Sequence, residues 1–161
     1  MQLYLIRHAD ALDSPDDFSR ALSARGHRQL ASLVKHFQAH ALLRPEEVWH
    51  SPLRRARETA EVLGLGLGWP RPFEETDLLE PERDPQGVVN RLQGVSRPLA
   101  LVAHEPLLSS LGTLLVRGVS WPLAFTLRKG DVLALEPSGS DHPGRWVEKW
   151  HLGPDLPGRG E

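Results

Sequence analysis

Pro98-Leu-Ala-Leu-Val-Ala-His104 is the stretch from which the fold of this chain is read. Leu99 to Ala103 is an unbroken apolar run, too short for an ordinary helix and without the alternation of a half-exposed strand. Such a run reads as a strand covered on both faces, the situation of strands in a parallel sheet flanked by helices. It stops at a histidine. Beyond it, Leu107, Leu108, Leu111, Leu114 and Leu115 trace a wide apolar stripe at helical spacing. The local plan is strand, histidine, helix.

Upstream the same plan recurs. Gln2-Leu-Tyr-Leu-Ile6 is a short buried-strand pattern that ends at Arg7-His8, and Glu47-Val-Trp-His50 is another, closed by Ser51-Pro52. Between them, Ala9 to Arg20 has the loop chemistry of Asp10, Asp13, Pro15, Asp16 and Asp17. A helix follows, with Leu30, Leu33, Val34 and Phe37 on one face. The second helix is expected from Arg54 to about Leu63, with the glycines from Gly64 to Gly68 ending it, and a third near Pro85 to Leu92. Strands are expected at Phe125–Leu127, Asp131–Glu136 and Arg145–Trp150. Alternating strands and helices predict an α/β fold, a three-layer α/β/α sandwich around a mostly parallel central sheet. The expected organisation is one domain over residues 1–152 and a loose Gly- and Pro-rich tail over 153–161.

Composition narrows the function. A chain of 161 residues fits one domain with a real core. The net charge of −2 lacks the basic surplus of a nucleic-acid binder, and no apolar run approaches a bilayer span. The strand pattern begins without a charged leader or apolar signal segment, so a cytoplasmic protein is expected. With no cysteine, thiol nucleophiles, disulfides and cysteine-ligated metals are excluded.

In layered α/β folds, ligands bind at the carboxyl ends of the strands. Arg7-His8, Ser51 with the arginines after it, and His104 each stand just past a predicted strand. Two imidazoles and two guanidiniums around one point suit a tetrahedral dianion, because a guanidinium presents a planar fork of donors that matches phosphate oxygens. A histidine among arginines is expected to be neutral near pH 7, since a second positive charge is disfavoured. A neutral imidazole can attack phosphorus, form a phosphohistidine and release it to water. With the arginines supplying positive charge, neither metal nor cofactor is expected.

The motifs resemble those of a known family. Leu5-Ile-Arg-His-Ala9 is similar to the arginine–histidine signature of the histidine phosphatase (phosphoglycerate mutase-like) superfamily. Ser51-Pro-Leu-Arg-Arg-Ala-Arg-Glu-Thr-Ala60 resembles its second motif, with Arg55 in the phosphate-binding place, and Val102-Ala-His-Glu-Pro106 its third. Arg20-Ala-Leu-Ser-Ala-Arg-Gly26 is similar to the stretch before the first helix. The resemblance implies a phosphoglycerate mutase-like fold with His8 as nucleophile, Arg7 and Arg55 as phosphate clamps and His104 as a donor to the phosphoryl oxygens. It also implies substrate contacts from Arg20 and Ser51. The short chain is most like the SixA-type phosphohistidine phosphatases, which implies a phosphohistidine protein as partner and neither nucleic acid nor membrane.

One departure bears on the substrate. Leu78-Leu-Glu80 matches the first half of a family segment that supplies a general acid, but Pro81-Glu-Arg-Asp84 replaces the rest. Glu80 is therefore the candidate acid, and a doubtful acid favours phosphohistidine, because an alkoxide needs a proton on leaving and an imidazole needs it less. The rivals are the same chemistry on a small phosphate ester (sugar, nucleotide or cofactor precursor) and a non-catalytic module that recognises phosphate. Other signals have plainer readings. Arg54 and Arg57 suit a solvated helix face, as do His36 and His40 at i, i+4. His104-Glu105 does not open a zinc-protease motif, because Leu108 stands where the second histidine would be.

Overall fold

A computed structural model describes residues 1–139 and 145–155 of the chain. Among these residues six strands form one sheet: β1 (Leu3–Arg7), β2 (Glu47–His50), β3 (Glu74–Glu75), β4 (Leu99–Ala103), β5 (Val132–Pro137) and β6 (Trp146–Leu152), in the order β3-β2-β4-β1-β5-β6. The first four named are mutually parallel; β5 runs antiparallel to β1, and β6 antiparallel to β5. The central strand, β4, is buried along its whole length, as its unbroken apolar run requires. Both edges are charged, with Glu74 and Glu75 on one side and Glu148 and Lys149 on the other, which discourages pairing with another sheet.

Among the described residues, four α-helices cover the sheet: α1 (Ala24–Ala39), α2 (Arg54–Leu67), α3 (Pro85–Leu92) and α4 (Leu107–Arg117). Alternation along β1 divides the core in two. Tyr4 and Ile6 face α1 and α2 through Leu30, Leu33, Phe37, Ala60 and Leu63. Leu3 and Leu5 face α3 and α4 through Val88, Leu92, Leu107, Leu111 and Leu115. The expected three-layer sandwich is the one observed.

Two local expectations change. The second helix does not stop at Leu63 but continues through Gly64 and Gly66 to Leu67, capped by Gly68 at φ 70°. Gly64 belongs inside it because a Cβ there would lie 2.5 Å from the Phe73 ring; the residue answers to packing, not to helix termination. Residues 125–127 form no strand but an irregular segment held by α4. Of the tail expected to be loose, 156–161 lie outside the described residues, while the Pro154 carbonyl accepts a hydrogen bond from Ser32 Oγ at 3.0 Å.

The start of α1 is sewn to the segment after His8. Ser23 caps the helix by accepting from Gly26 N, donates its hydroxyl to Asp10 Oδ2 at 2.6 Å, and donates its backbone N–H to Asp10 O at 3.0 Å. Gly26 lies so close that a Cβ would stand 2.1 Å from the Asp10 carbonyl oxygen. Helix propensity alone makes Gly26→Ala stabilising by about 1 kcal/mol. The clash reverses the sign: urea denaturation is expected to show a loss of about 1–3 kcal/mol.

Candidate active site

Adjacent strands end together, and that register assembles the site. Arg7 pairs with Ala103 and His50 with Val102, so the residues following β1, β2 and β4 emerge side by side. His8 N donates to Ala103 O at 3.0 Å, and Ser51 N to Val102 O at 3.0 Å. Arg55 enters from the first turn of α2. Thr59 ties that helix to β1: its hydroxyl donates to Arg55 O at 2.7 Å and accepts from Ala9 N at 3.1 Å. His8 and His104 stand with ring centroids 5.1 Å apart, and the N-termini of α2 and α4 both open here, adding positive backbone potential.

Hydrogen bonding sets the state of each imidazole. His8 Nδ1 lies 2.7 Å from the Ala9 carbonyl oxygen, which can only accept, so Nδ1 carries the proton. Nε2 is left with its lone pair, toward which Arg55 Nε donates at 3.3 Å. His104 Nε2 is 2.8 Å from Ser51 Oγ. Ser51 Oγ accepts from Leu53 N, and its own proton can be directed to His104 Nε2 in the tautomer that protonates Nδ1. Nδ1–H of His104 is then a buried donor without a partner among the described residues.

Both rings are held neutral. His8, 5% exposed, has its pKa lowered to about 3, first by burial and then by the charges of Arg55, Arg7 and Lys129. His104, 2% exposed, is pushed down to about 2 by burial, then by His8, Arg55 and Arg7. The expected neutral histidine is present, but its leading cause is desolvation and not the arginines.

The remaining expected residues divide. Arg7 reaches the site with Nη1 donating to Leu127 O at 2.8 Å, while its Nε is buried and unpaired among the described residues. Arg55 is buried and meets Asp17: Nη1 donates to Asp17 O at 2.8 Å and to Oδ1 at 3.2 Å. The loop after β1 thus folds back over the guanidinium. Arg20 points the same way but spends its donors within that loop, on Leu12 O at 2.9 Å and Asp17 Oδ1 at 3.4 Å. Glu80 sits at the rim of a cavity of about 530 Å³ with Asp17, Phe18 and Leu53, where its Oε1 accepts from Arg83 Nη2 at 2.8 Å. Arg54 pairs with Glu58 at 3.1 Å on an exposed face, as its plain reading held. His36 and the C-cap His40 at the end of α1 have ring centroids 4.8 Å apart and tilted by 40°, and no group of three potential metal ligands forms among the described residues.

Asp17, Lys129 and the Leu127 carbonyl escaped the sequence reading. Asp17 was one aspartate among several in a loop, and the other two lie about 120 residues from the groups they serve, with no periodicity to mark them.

Paired histidines flanked by guanidiniums at the ends of parallel strands define a phosphoryl-handling class, and comparison with known proteins agrees. The chain belongs to the histidine phosphatase superfamily: residues 3–83, half of its length, match the model for branch 1. Among solved structures, it is similar to the protein histidine phosphatase SixA complexed with tungstate, at 25% identity and TM-score 0.84, covering 97% of this chain and 99% of that one. A candidate SixA phosphohistidine phosphatase from Nakamurella multipartitia shares the fold at 22% identity and TM-score 0.76, with 95% of each chain covered. So does a mycobacterial glucosyl-3-phosphoglycerate phosphatase, at 18% identity and TM-score 0.66, with 92% of this chain and 96% of that one covered. A search of curated proteins finds no significant match.

Linkage turns the two neutral histidines into a stability prediction. Both folded pKa values lie below the ordinary 6.5, so the unfolded chain binds the extra protons as pH falls. The stability they contribute is complete above about pH 6.5 and is lost on the way down toward 3. Urea denaturation between pH 6 and 4.5 is expected to show a loss of about 1.4 kcal/mol per pH unit for each imidazole. His8→Asn should have the shallower slope; an equal slope would remove His8 from this account.

Proposed function

We propose that this protein hydrolyses phosphohistidine on a protein partner, through a covalent phosphohistidine at its own His8. The observation that carries the reading is the His8 ring itself: neutral, fixed by the Ala9 carbonyl through Nδ1, with its Nε2 lone pair directed into a cluster of cationic donors. In the first step Nε2 forms a bond to phosphorus as the bond to the substrate's imidazole nitrogen breaks, and that nitrogen takes its proton from solvent. Arg55 Nε, now donating to Nε2, passes to a phosphoryl oxygen as the lone pair is used. Arg7 and His104 Nδ1–H donate to the remaining oxygens, with Ser51 fixing the His104 ring. Water then attacks phosphorus on the opposite face, releasing inorganic phosphate and restoring neutral His8.

The carboxylates around the site support phosphohistidine over an alkyl ester. Asp17 Oδ1 accepts from Arg55 and Arg20, and Glu80 Oε1 accepts from Arg83. A general acid must carry a proton to the transition state, and the carboxylate oxygens named here are already occupied by guanidinium N–H donors. An imidazole leaving group tolerates that arrangement; an alkoxide does not. The second reading, a small-molecule phosphatase, draws on the cavity of about 530 Å³ lined by Asp17 and Glu80, which has room for a compact leaving group. Among the described residues no helix is long and apolar enough to cross a membrane, which suits the cytoplasmic setting this reading carries.

Parallel turnover of a phosphohistidine peptide and a simple alkyl phosphate, with EDTA throughout, tests the proposal. Phosphohistidine is expected to be cleared far faster, with His8→Ala inactive. Faster turnover of the alkyl ester would move the substrate to small metabolites, and no turnover of either would leave a phosphate-recognising module.

Replacing Arg7 or Arg55 by Ala should each cost on the order of 3 kcal/mol in the transition state, about a hundredfold in kcat/KM. A severalfold loss in both would mean that the phosphoryl group sits elsewhere.

A further inference from the structure

The helix after His104 is apolar on its core side, yet it buries two hydroxyls there. Ser109 and Thr113 are almost wholly inaccessible and, with Glu105, fall at i, i+4 and i+8 along one face. Buried polar groups need partners, and these find them in one another and in the irregular segment over residues 124–127. Thr113 Oγ1 donates to Ser109 O at 2.7 Å and accepts from Ala124 N at 2.9 Å. Ser109 N donates to Glu105 Oε1 at 2.8 Å, and the Ser109 hydroxyl donates to Glu105 Oε2. The same Oε2 accepts from Leu127 N at 3.3 Å, shared with Ser109 Oγ at 3.4 Å.

Leu127 is the junction. Its N–H is held by Glu105 and Ser109, and its carbonyl accepts from Arg7 Nη1 at 2.8 Å. Beyond it, Asp131 closes the turn: Oδ2 accepts from Arg128 N at 2.9 Å, and the carbonyl accepts from Arg7 N at 3.0 Å. The Arg7 guanidinium is therefore oriented by a backbone carbonyl from a segment without regular structure, and that segment is anchored to α4 by a polar stripe.

We propose that Glu105 is a positioning residue for Arg7, acting through Leu127 and the Ser109–Thr113 stripe. A carboxylate is suited to the task because it accepts at both oxygens: one serves the first turn of α4 and the other the Leu127 N–H. Glutamine at 105 would turn one acceptor into a donor facing an N–H, so Glu105→Gln releases one of the two at nearly constant volume. The inference rests on the reading of Arg7 as a phosphoryl clamp.

A double-mutant cycle separates positioning from general stability. The rate is kcat/KM on p-nitrophenyl phosphate, whose good leaving group makes the result independent of the acid question. Glu105→Gln is expected to lower the rate about tenfold in the wild-type background. In the Arg7→Ala background it should change the rate less than twofold, because the group it positions is gone. A tenfold loss in both backgrounds, or in neither, overturns the proposal. Should Glu105→Gln fail to give a cooperative urea transition, Ser109→Ala provides the same cycle with a smaller first effect. Calorimetric titration with inorganic phosphate keeps the two readings apart. Wild type that binds no phosphate would sink the clamp and this inference together, whereas wild-type binding that Glu105→Gln leaves unchanged would sink only the positioning role.

Discussion

The backbone N–H of His8 donates to the carbonyl of Ala103 at 3.0 Å, and through that bond the first histidine is tied to the residue before the second. It is the last rung of the β1–β4 parallel ladder, and the site depends on where that ladder stops. Were the register one residue longer, His8 would be a strand residue with its ring directed to one face of the sheet, since side chains alternate. Because it stops here, the two imidazoles turn toward one another across the strand ends. The β2–β4 ladder ends in the same way at Ser51, which then fixes His104 through its hydroxyl. Three strand ends and one helix start therefore place five side chains without a dedicated catalytic loop.

Such an arrangement works against stability. Two imidazoles are buried in a cluster with Arg7 and Arg55, and protonating either ring there is opposed both by the missing solvent and by the neighbouring charges. The fold holds the rings neutral, with His8 partnered by the Ala9 carbonyl and Arg55 and His104 by Ser51, and it moderates the guanidiniums with oxygen acceptors: Asp17 on Arg55 and the Leu127 carbonyl on Arg7. The two acceptors differ in kind. The Leu127 carbonyl is anchored from behind by Glu105 and Ser109, whereas Asp17 belongs to an exposed turn, so one arginine is set by the core and the other faces the surface loop.

The candidate site positions were legible along the chain because they follow apolar runs. A buried strand must be apolar and a ligand-binding turn must be polar, so the transitions at Ile6–Arg7, His50–Ser51 and Ala103–His104 stand out in one dimension. Helix α3 was expected near Pro85–Leu92 and is observed over those residues, where Asp84 caps it and proline stands in its first turn. Glycine misled where it served packing: Gly64 looked like an end to α2 and is instead a close contact with Phe73. Residues 125–127 misled in the other direction. Their apolar character fits a strand, but the Leu127 backbone is taken by Ser109, Glu105 and Arg7, and no neighbouring strand pairs with the segment.

By itself the sequence determined the layered α/β architecture and which arginines and histidines stand at strand ends, since hydrophobic period is a local property that each segment carries alone. Only the tertiary structure decided how those groups are held. Burial of His8 and His104, the Asp17 contact to Arg55 and the Leu127 contact to Arg7 arise between segments tens to more than a hundred residues apart. Desolvation and hydrogen-bond geometry exist only once those segments pack, and no spacing along the chain encodes them.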